Sequence, residues 1–199
     1  VAGGGARTFN DVTAITDANL TSTSAVVNGD VNINAETFVT ATAKQEALTV
    51  AAGFSAAVSG LDAETSIDVD NTAGTAGNSA ISARDVTISA TATPSVSAST
   101  FAATGGALGV GVSKVDSTVD VLSKVETLAT AFTVRDLTLR ADEARAGSNA
   151  DTIYSSAEGI VGGLIGVDAT VTSSEHFGTV TALLGTGTTV IAAGTVAAS

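Results

Sequence analysis

The sequence contains no cysteine, methionine or tryptophan, and it has one proline, one histidine and one tyrosine among its 199 residues. The absence of cysteine excludes disulfides and thiolate metal sites. A single histidine, His176, gives no basis for a multi-histidine metal site or a catalytic triad. Because it stands beside Glu175 and Phe177, we expect it in a surface loop. We predict no catalytic residues, and we do not expect the protein to be an enzyme.

Large side chains are also scarce, because six phenylalanines and one tyrosine are few for a chain of this length. Aromatic residues supply much of the buried area of a conventional core. The interior is therefore predicted to be thin and lined by Val, Ile, Leu and Ala. Closely packed sheets fit such an interior, whereas a bulky helical core does not.

Positive charge is the third shortage: 8 basic residues face 20 acidic ones, which gives a net charge of −12. Nucleic acids and anionic membranes are bound through lysine and arginine patches, so we predict neither as a partner. No apolar run approaches the ~20 residues that cross a bilayer, so no membrane span is predicted. The acidic balance favours solubility and is compatible with cation binding.

What the chain does contain is a repeat. The segment "GDVNINA" at 29–35 returns as "RDVTISA" at 84–90 and as "RDLTLRA" at 135–141. The shared aspartates, which we call anchors, are 55 residues apart (30 to 85) and 51 residues apart (85 to 136). A weaker copy, "GTVAAS", places Thr195 at the anchor position 59 residues later (136 to 195).

Two further features return within each repeat. Glycine-rich apolar runs occupy 53–60, 105–112 and 159–167, and alternating segments follow them as "SIDVD" (66–70), "TVDVL" (118–122) and "ATVTS" (169–173). We expect one segment of a longer array. Its divisions are a partial repeat 1–28, repeats at about 29–83, 84–134 and 135–193, and the start of another repeat at 194–199.

Within the repeats, apolar residues recur with a period of two, which is typical of strands rather than helices. All odd positions from 87 to 99 are threonine or serine, and nearly all even positions from 86 to 102 are apolar. The positions one and three residues after each anchor should hold the stack together: Val31, Ile33, Val86, Ile88, Leu137 and Leu139. The position four residues before each anchor is also apolar: Val26, Ile81, Phe132 and Ile191.

A strand repeated in this way cannot bury its apolar face alone, whereas stacked copies bury it and pair their backbone hydrogen bonds. We therefore predict an all-β fold, a parallel β-solenoid (β-helix) built from repeats of about 51–59 residues. One repeat forms either one coil or two to three smaller coils, and the spacing does not decide between them. Asn28-Gly29 and the glycine clusters are predicted to form corners with positive φ.

The anchors have a physical consequence if one repeat makes one coil. Asp30, Asp85 and Asp136 would then stand above one another, at ~5 Å per rung. Stacked carboxylates repel, and Arg84 and Arg135, each one residue before an anchor, would offset the repulsion. These five residues are the predicted anchor ladder.

Units of "G-D-V-x-I-x-A", a long Ala/Thr/Ser alternation, a glycine-rich run and "x-V-D-V" resemble the repeats of filamentous-haemagglutinin-like exoproteins and related giant bacterial adhesins. The resemblance covers nearly the whole chain. It implies a right-handed β-helix shaft that is secreted or held at the bacterial cell surface and serves adhesion or filament building. It implies no catalytic residues.

Acidic side chains could come together on adjacent rungs, and we take Asp68, Asp70, Asp116, Asp120 and Asp168 to lie near one edge. Hard cations such as Ca²⁺ bind several oxygen ligands, so Ca²⁺ is the one candidate cofactor. Solvated acids without an ion are the favoured interpretation, so we predict no bound cofactor. Paired carboxylates in a polysaccharide-acting β-helix are a third possibility. The glycine runs lack the Lys-Ser/Thr of a phosphate-binding loop.

An outward row of hydroxyls is the last candidate, formed by Thr87, Ser89, Thr91 and Thr93. Flat threonine arrays of this kind resemble ice-binding solenoids. The neighbouring repeats interrupt the row at the corresponding positions, with Glu36, Phe38, Lys44, Arg140 and Asp142.

The sequence therefore predicts a structural or adhesive shaft segment of an extracellular fibrous protein that stacks on itself through its strand edges. The predicted partners are neighbouring repeats or copies of the chain end to end, together with host-surface or matrix carbohydrate. The alternatives are a binding module for carbohydrate, Ca²⁺ or ice, and then a polysaccharide-acting enzyme.

Overall fold

The computed structural model describes residues 1–144 and 153–199. Within these ranges the chain forms strands and no helix, so no helix there is long and apolar enough to cross a membrane. The strands are β1 (Ala2–Thr21), β2 (Ser24–Val26), β3 (Val31–Val50), β4 (Ala56–Ala76), β5 (Ala80–Ser82), β6 (Asp85–Gly105), β7 (Leu108–Thr127), β8 (Ala131–Val134), β9 (Asp136–Glu143), β10 (Ile153–Gly162), β11 (Ile165–Leu184), β12 (Thr189–Ala192) and β13 (Val196–Ala198).

The strand pairs of the described residues are all parallel, and they build three sheets. The first wide sheet has the order β1-β4-β7-β11. In the second wide sheet β3 pairs with β6, β6 also pairs with β9 and β10, and β13 pairs with β9. The narrow sheet has the order β2-β5-β8-β12. Coil 1 is β1–β3, coil 2 is β4–β6, coil 3 is β7–β10 and coil 4 is β11–β13. The prediction of an all-β parallel β-solenoid is confirmed.

One repeat makes one coil, which answers the question that the spacing left open. Val31 lies beside Val86, Val86 beside Leu137, and Leu137 beside Val196 on successive coils. Asp85 is likewise in register with Asp136. The interval between two anchors is therefore one full turn around the solenoid.

The core lies between the two wide sheets, where inward side chains of both meet. Four residues of the expected stack are at most 1% exposed: Val86, Ile88, Leu137 and Leu139. Val31 and Ile33 are only half-buried, because β3 is an edge strand and has a neighbour on one side. Towards the far end of the sheets the core narrows to alanine and valine, as Ala43, Ala63, Ala98 and Val115 show. The narrow sheet adds Phe132, the largest fully buried side chain among the residues that the structure describes.

The predicted positive φ is found in two of the glycine clusters, at Gly53 and Gly163, but not at Asn28-Gly29. Among the described residues, four glycines have positive φ, namely Gly53, Gly77, Gly163 and Gly187, and so do Ser22, Asn78 and Ala129. Asn28 and Gly29 are not among them, so the prediction is wrong for this pair alone. The carbonyl of Gly29 instead accepts a 2.9 Å hydrogen bond from the backbone of Arg84 on the next coil, which continues the regular pairing around this corner.

The residues four positions before the anchors do not all point inward. Ala25, Ile81, Phe132 and Val190 share one column of the narrow sheet. Val26 and Ile191 lie one residue further along and are 82% and 65% exposed, so the shared apolar position does not mark one inward column in all four coils. In coils 1 and 4 the inward residue lies one position further from the anchor than it does in coils 2 and 3. A shift of one residue along a strand moves a side chain to the opposite face.

The match of "ATVTS" with the other alternating segments is also wrong in register. Ala169 lies beside Val112, and it is Glu175 that lies beside Thr118. The two alignments differ by six residues, an even number, and alternation alone cannot distinguish such shifts because they leave each side chain on the same face.

Ala129 offers a test of the corner geometry, because its φ of 47° is unfavourable for a residue with a Cβ. We expect Ala129→Gly to stabilise the protein by about 0.5–1 kcal/mol, the strain released exceeding the entropic cost of glycine. Urea denaturation would measure the change. The control Ala131→Gly lies in β8, where glycine should destabilise, so a loss of stability in both variants would contradict the assignment.

Candidate functional site: anchor ladder, acidic face and strand edges

The anchor ladder runs along the axis where the narrow sheet turns into the second wide sheet. Arg84 donates from Nε and Nη2 to both carboxylate oxygens of Asp30, at 2.8 and 2.7 Å. Arg135 donates to Asp85 at 2.5 Å on the coil before it and to Asp136 at 2.9 Å on its own coil. Each arginine therefore sits against an aspartate of the preceding coil, and the charges alternate along the solenoid.

The ladder changes the acidity of its members. Hydrogen bonds from Arg84 hold the pKa of Asp30 below its ordinary value. The pKa of Asp136 is also lowered, first by the backbone N–H of Thr195, which donates to it at 2.7 Å, and then by Arg135. The same contacts raise the pKa of both guanidinium groups. The predicted compensation of stacked carboxylates is thus made by direct hydrogen bonds.

Acidification should weaken this ladder. The pKa values of Asp30 and Asp136 are lower in the folded state, so their contribution is complete above an unfolded value of about 4 and is lost as pH falls through the lowered values. We expect Asp136→Asn to lower the urea midpoint at pH 7, and the difference from the unmodified protein to shrink on acidification. A difference that stays constant with pH would contradict this role.

The acidic residues of the first wide sheet divide into compensated and uncompensated pairs. Glu64 lies beside Asp116, but Arg7 donates to Glu64 at 2.8 Å and Lys114 forms an ion pair with Asp116. Asp68 lies beside Asp120 on the next coil, and within residues 1–144 and 153–199 neither has a basic group within 4.0 Å. These two carboxylates are therefore stacked without a counter-charge.

Asp70 and Asp168 extend the acidic group less than expected. Asp70 faces outward two positions from Asp68, but its neighbour on the next coil is Leu122. Asp168 lies beside Gly111, whose side of the strand faces the interior, so the expectation that it joins the other four is wrong. In the part of the chain that the structure describes, no three Asp, Glu, His or Cys residues are arranged to hold a metal ion.

Neutralising one member of the stacked pair should raise stability, because like charges directly opposite one another on adjacent strands repel. We expect Asp120→Asn to raise Tm by about 1–2 °C at low ionic strength and by less in high salt. Glu46→Gln removes the same charge but also breaks a 2.7 Å contact with Lys44, so it should not stabilise. Stabilisation of the unmodified protein alone by Ca²⁺ would instead show that the pair binds the ion.

The hydroxyl row lies on the outer face of the second wide sheet. Ser89 lies between Asn34 and Arg140, and Thr91 lies between Glu36 and Asp142. Thr93 lies beside the exposed Phe38 and is itself only 6% exposed. Charged and aromatic neighbours therefore interrupt the row on both adjacent coils.

His176 lies in β11 and not in a loop, so its predicted environment is wrong. Its Nε2 is 2.8 Å from Oε1 of Glu143, across the interior side of coil 4. That side of β11 carries polar residues, namely Asp168, Thr170, Thr172, Ser174 and His176, where β7 carries Gly, Ser and Val. These residues are exposed in the described structure, which suits their polar side chains.

Both wide sheets of the described structure have long open strand edges. In the described structure, β1 pairs only with β4 and β3 only with β6, while β11 pairs only with β7. Each of these edge strands is 20 residues long and presents unpaired backbone groups on its outer side. Such edges can accept a further parallel strand along their whole length.

Comparisons with protein-family models, with curated proteins and with solved structures found no match for this chain.

Proposed function

We propose that this protein is a structural shaft segment of a long fibrous protein, lengthened by stacking coil upon coil. The observation that carries the proposal is the in-register pairing of equivalent strands on successive coils, with 20-residue edges open at both ends of the described stack. Each coil presents the backbone template that the next coil needs, from the same chain or from a second copy.

The energetics support a role that depends on stacking. The core clusters join side chains of successive coils, so no coil buries its apolar face by itself. The anchor ladder adds charge-assisted hydrogen bonds between coils. We assign the segment to the cell surface or the extracellular space, in agreement with the absence of cysteine and with the resemblance to adhesin repeats. The proposal includes no catalytic role and no membrane or nucleic-acid partner.

Electron microscopy tests the shaft. We expect rods with a ~4.8 Å repeat along their axis at high protein concentration. Val12→Lys places a charge on the inward face of the edge strand β1 and should shorten the rods, whereas Phe9→Lys, which is on the outward face of the same strand, should not. Compact particles of uniform size under all conditions would overturn stacking between copies.

Carbohydrate binding is a second candidate, favoured by one groove on the outer face of the second wide sheet. The groove has a volume of about 320 Å³ and is lined by Phe101 and Tyr154 together with Lys44, Glu46 and Glu158. Aromatic faces beside carboxylates can stack on a sugar ring and accept its hydroxyl hydrogen bonds. Binding to immobilised polysaccharides that Tyr154→Ala abolishes would support this candidate, and Phe38→Ala, outside the groove, is the control.

A further inference from the structure

One narrow edge of the solenoid is uncharged and apolar. It is the corner where the second wide sheet turns into the first, formed by residues 47–61, 102–113 and 159–167, and these three runs contain no charged residue. We call it the apolar edge. Its large side chains project into solvent: Phe54 is 94% exposed, Leu164 79% and Leu48 76%.

The apolar side chains continue onto both wide sheets. Val50 is 65% exposed on one side, and Ile165 and Val167 are 63% and 54% exposed on the other. Val58, Val110 and Val167 stand in one column, so the edge is apolar along the axis as well as across it. A contiguous apolar patch of this kind marks a site of association in a soluble protein.

The charge distribution identifies the occupant. The chain carries a net charge of −12, so two copies repel one another where their charged faces meet. The opposite edge carries the anchor ladder, and the first wide sheet carries the stacked acids. At the apolar edge a second copy can approach without bringing charged side chains together. An anionic membrane would be repelled by the same net charge.

The shape of the edge is complementary to itself. The corner of coil 1 runs from 51 to 55, whereas those of coils 2 and 3 are the shorter 106–107 and 163–164. Phe54 and Leu164 therefore stand on either side of a recess of about 420 Å³ whose floor is Gly106 and Ala107. The recess depends on glycine, because a Cβ at Gly163 would lie 1.9 Å from the Gly106 carbonyl oxygen.

We propose that two copies of this chain dock side by side at the apolar edge, with Phe54 of each copy inserted into the recess above Gly106 and Ala107 of the other. A two-fold axis between the corners of coils 1 and 2 produces this reciprocal contact, since it exchanges the two corners. Both copies have the same rung spacing, so a fit at one coil extends to the next. The inference does not depend on the shaft function, because isolated segments could pair in this way.

Cysteine cross-linking tests the contact directly, because an introduced thiol is the only one in the chain. A mixture of Phe54→Cys chains with tagged Ala107→Cys chains should form a disulfide-linked dimer of the two kinds under mild oxidation. A mixture of Val26→Cys with tagged Ala107→Cys, which joins opposite edges, should not. Equal linkage in both mixtures would overturn the proposal.

Sedimentation equilibrium supplies the affinity. We expect reversible dimers that tighten as salt is raised, since salt screens the repulsion between two acidic chains. Phe54→Glu should weaken dimerisation about 30-fold or more, as for a central aromatic residue of an interface, and Val26→Glu should leave it unchanged. If the protein remains monomeric at every concentration, the proposed dimer is overturned. This holds whether or not the protein binds to neutral phosphatidylcholine vesicles. Rod formation that persists in Phe54→Glu would separate this contact from end-to-end stacking.

Discussion

Ile88→Asp should lower the free energy of unfolding by more than about 4 kcal/mol and leave the chain unfolded or nearly so, because a carboxylate would replace a fully buried apolar group. Ile88 is 0% exposed and lies between Ile33 and Leu139 on the adjacent coils. The cluster of residues packed together with Ile88 is apolar, so the new charge would have no partner among them. Far-UV circular dichroism during urea titration would measure the loss.

The control for this substitution is the neighbouring residue on the other side of the strand. Thr87 faces outward between Asn32 and Thr138. Thr87→Asp therefore adds the same charge to the same strand, but the new carboxylate is in contact with water. We expect its unfolding free energy to change by less than about 0.5 kcal/mol. Equal losses in the two variants would show that the strand does not face the core as described.

Phe132→Ala should cost about 3–5 kcal/mol, the usual range for removing a buried phenylalanine and leaving a cavity. Phe132 is 1% exposed and stands between Ile81 and Val190, where the narrow sheet closes the end of the core. Neither neighbour is an aromatic residue that could fill the space. The unfolding free energy from urea titration would give the value.

Phe9→Ala is the matched control, because Phe9 is 58% exposed on the outward face of β1. Its loss should cost less than about 1 kcal/mol. A small effect at Phe132 together with a large one at Phe9 would contradict the placement of the narrow sheet against the core.

The residues next to the anchors were the most predictable part of this protein. Three nearly identical strands at regular intervals indicated stacking, and alternation around Val86 and Ile88 indicated which side is buried. Asp30 occupies the anchor position of its repeat, and Arg84 occupies the position just before the anchor of the next repeat. Their opposite charges at neighbouring positions of the repeat indicated the ladder. Each of these signals is local to one strand, so it does not depend on the length of any corner.

Signals that depend on corner length failed. Val26 and Ile191 were displaced by one residue because the spacing between the narrow sheet and the anchor varies from coil to coil.

The error at Asp168 was avoidable, since "TVDVL" places aspartate outward between two inward valines. The alignment of "ATVTS" with that segment already assigns Asp168 the inward parity.

The apolar edge also has a signal in the sequence, but that signal predicts something other than an exposed apolar surface. The sequence predicts that its glycine-rich runs form corners but not that they are exposed, because composition does not separate buried from exposed apolar residues. The feature that distinguishes this edge is a long run without charged residues in the same part of each coil. That feature became interpretable only when the coils were placed in register.

The direction of the hydrogen bonds between coils has a mechanical consequence. In a solenoid these bonds point along the axis, and every interface between two coils is joined by strands of all three sheets. A pull along the axis that is applied across whole coils is therefore shared by dozens of bonds in parallel at each interface, while the interfaces themselves are in series. Additional coils increase the reach of such a fibre but not the force it withstands, which its weakest interface sets.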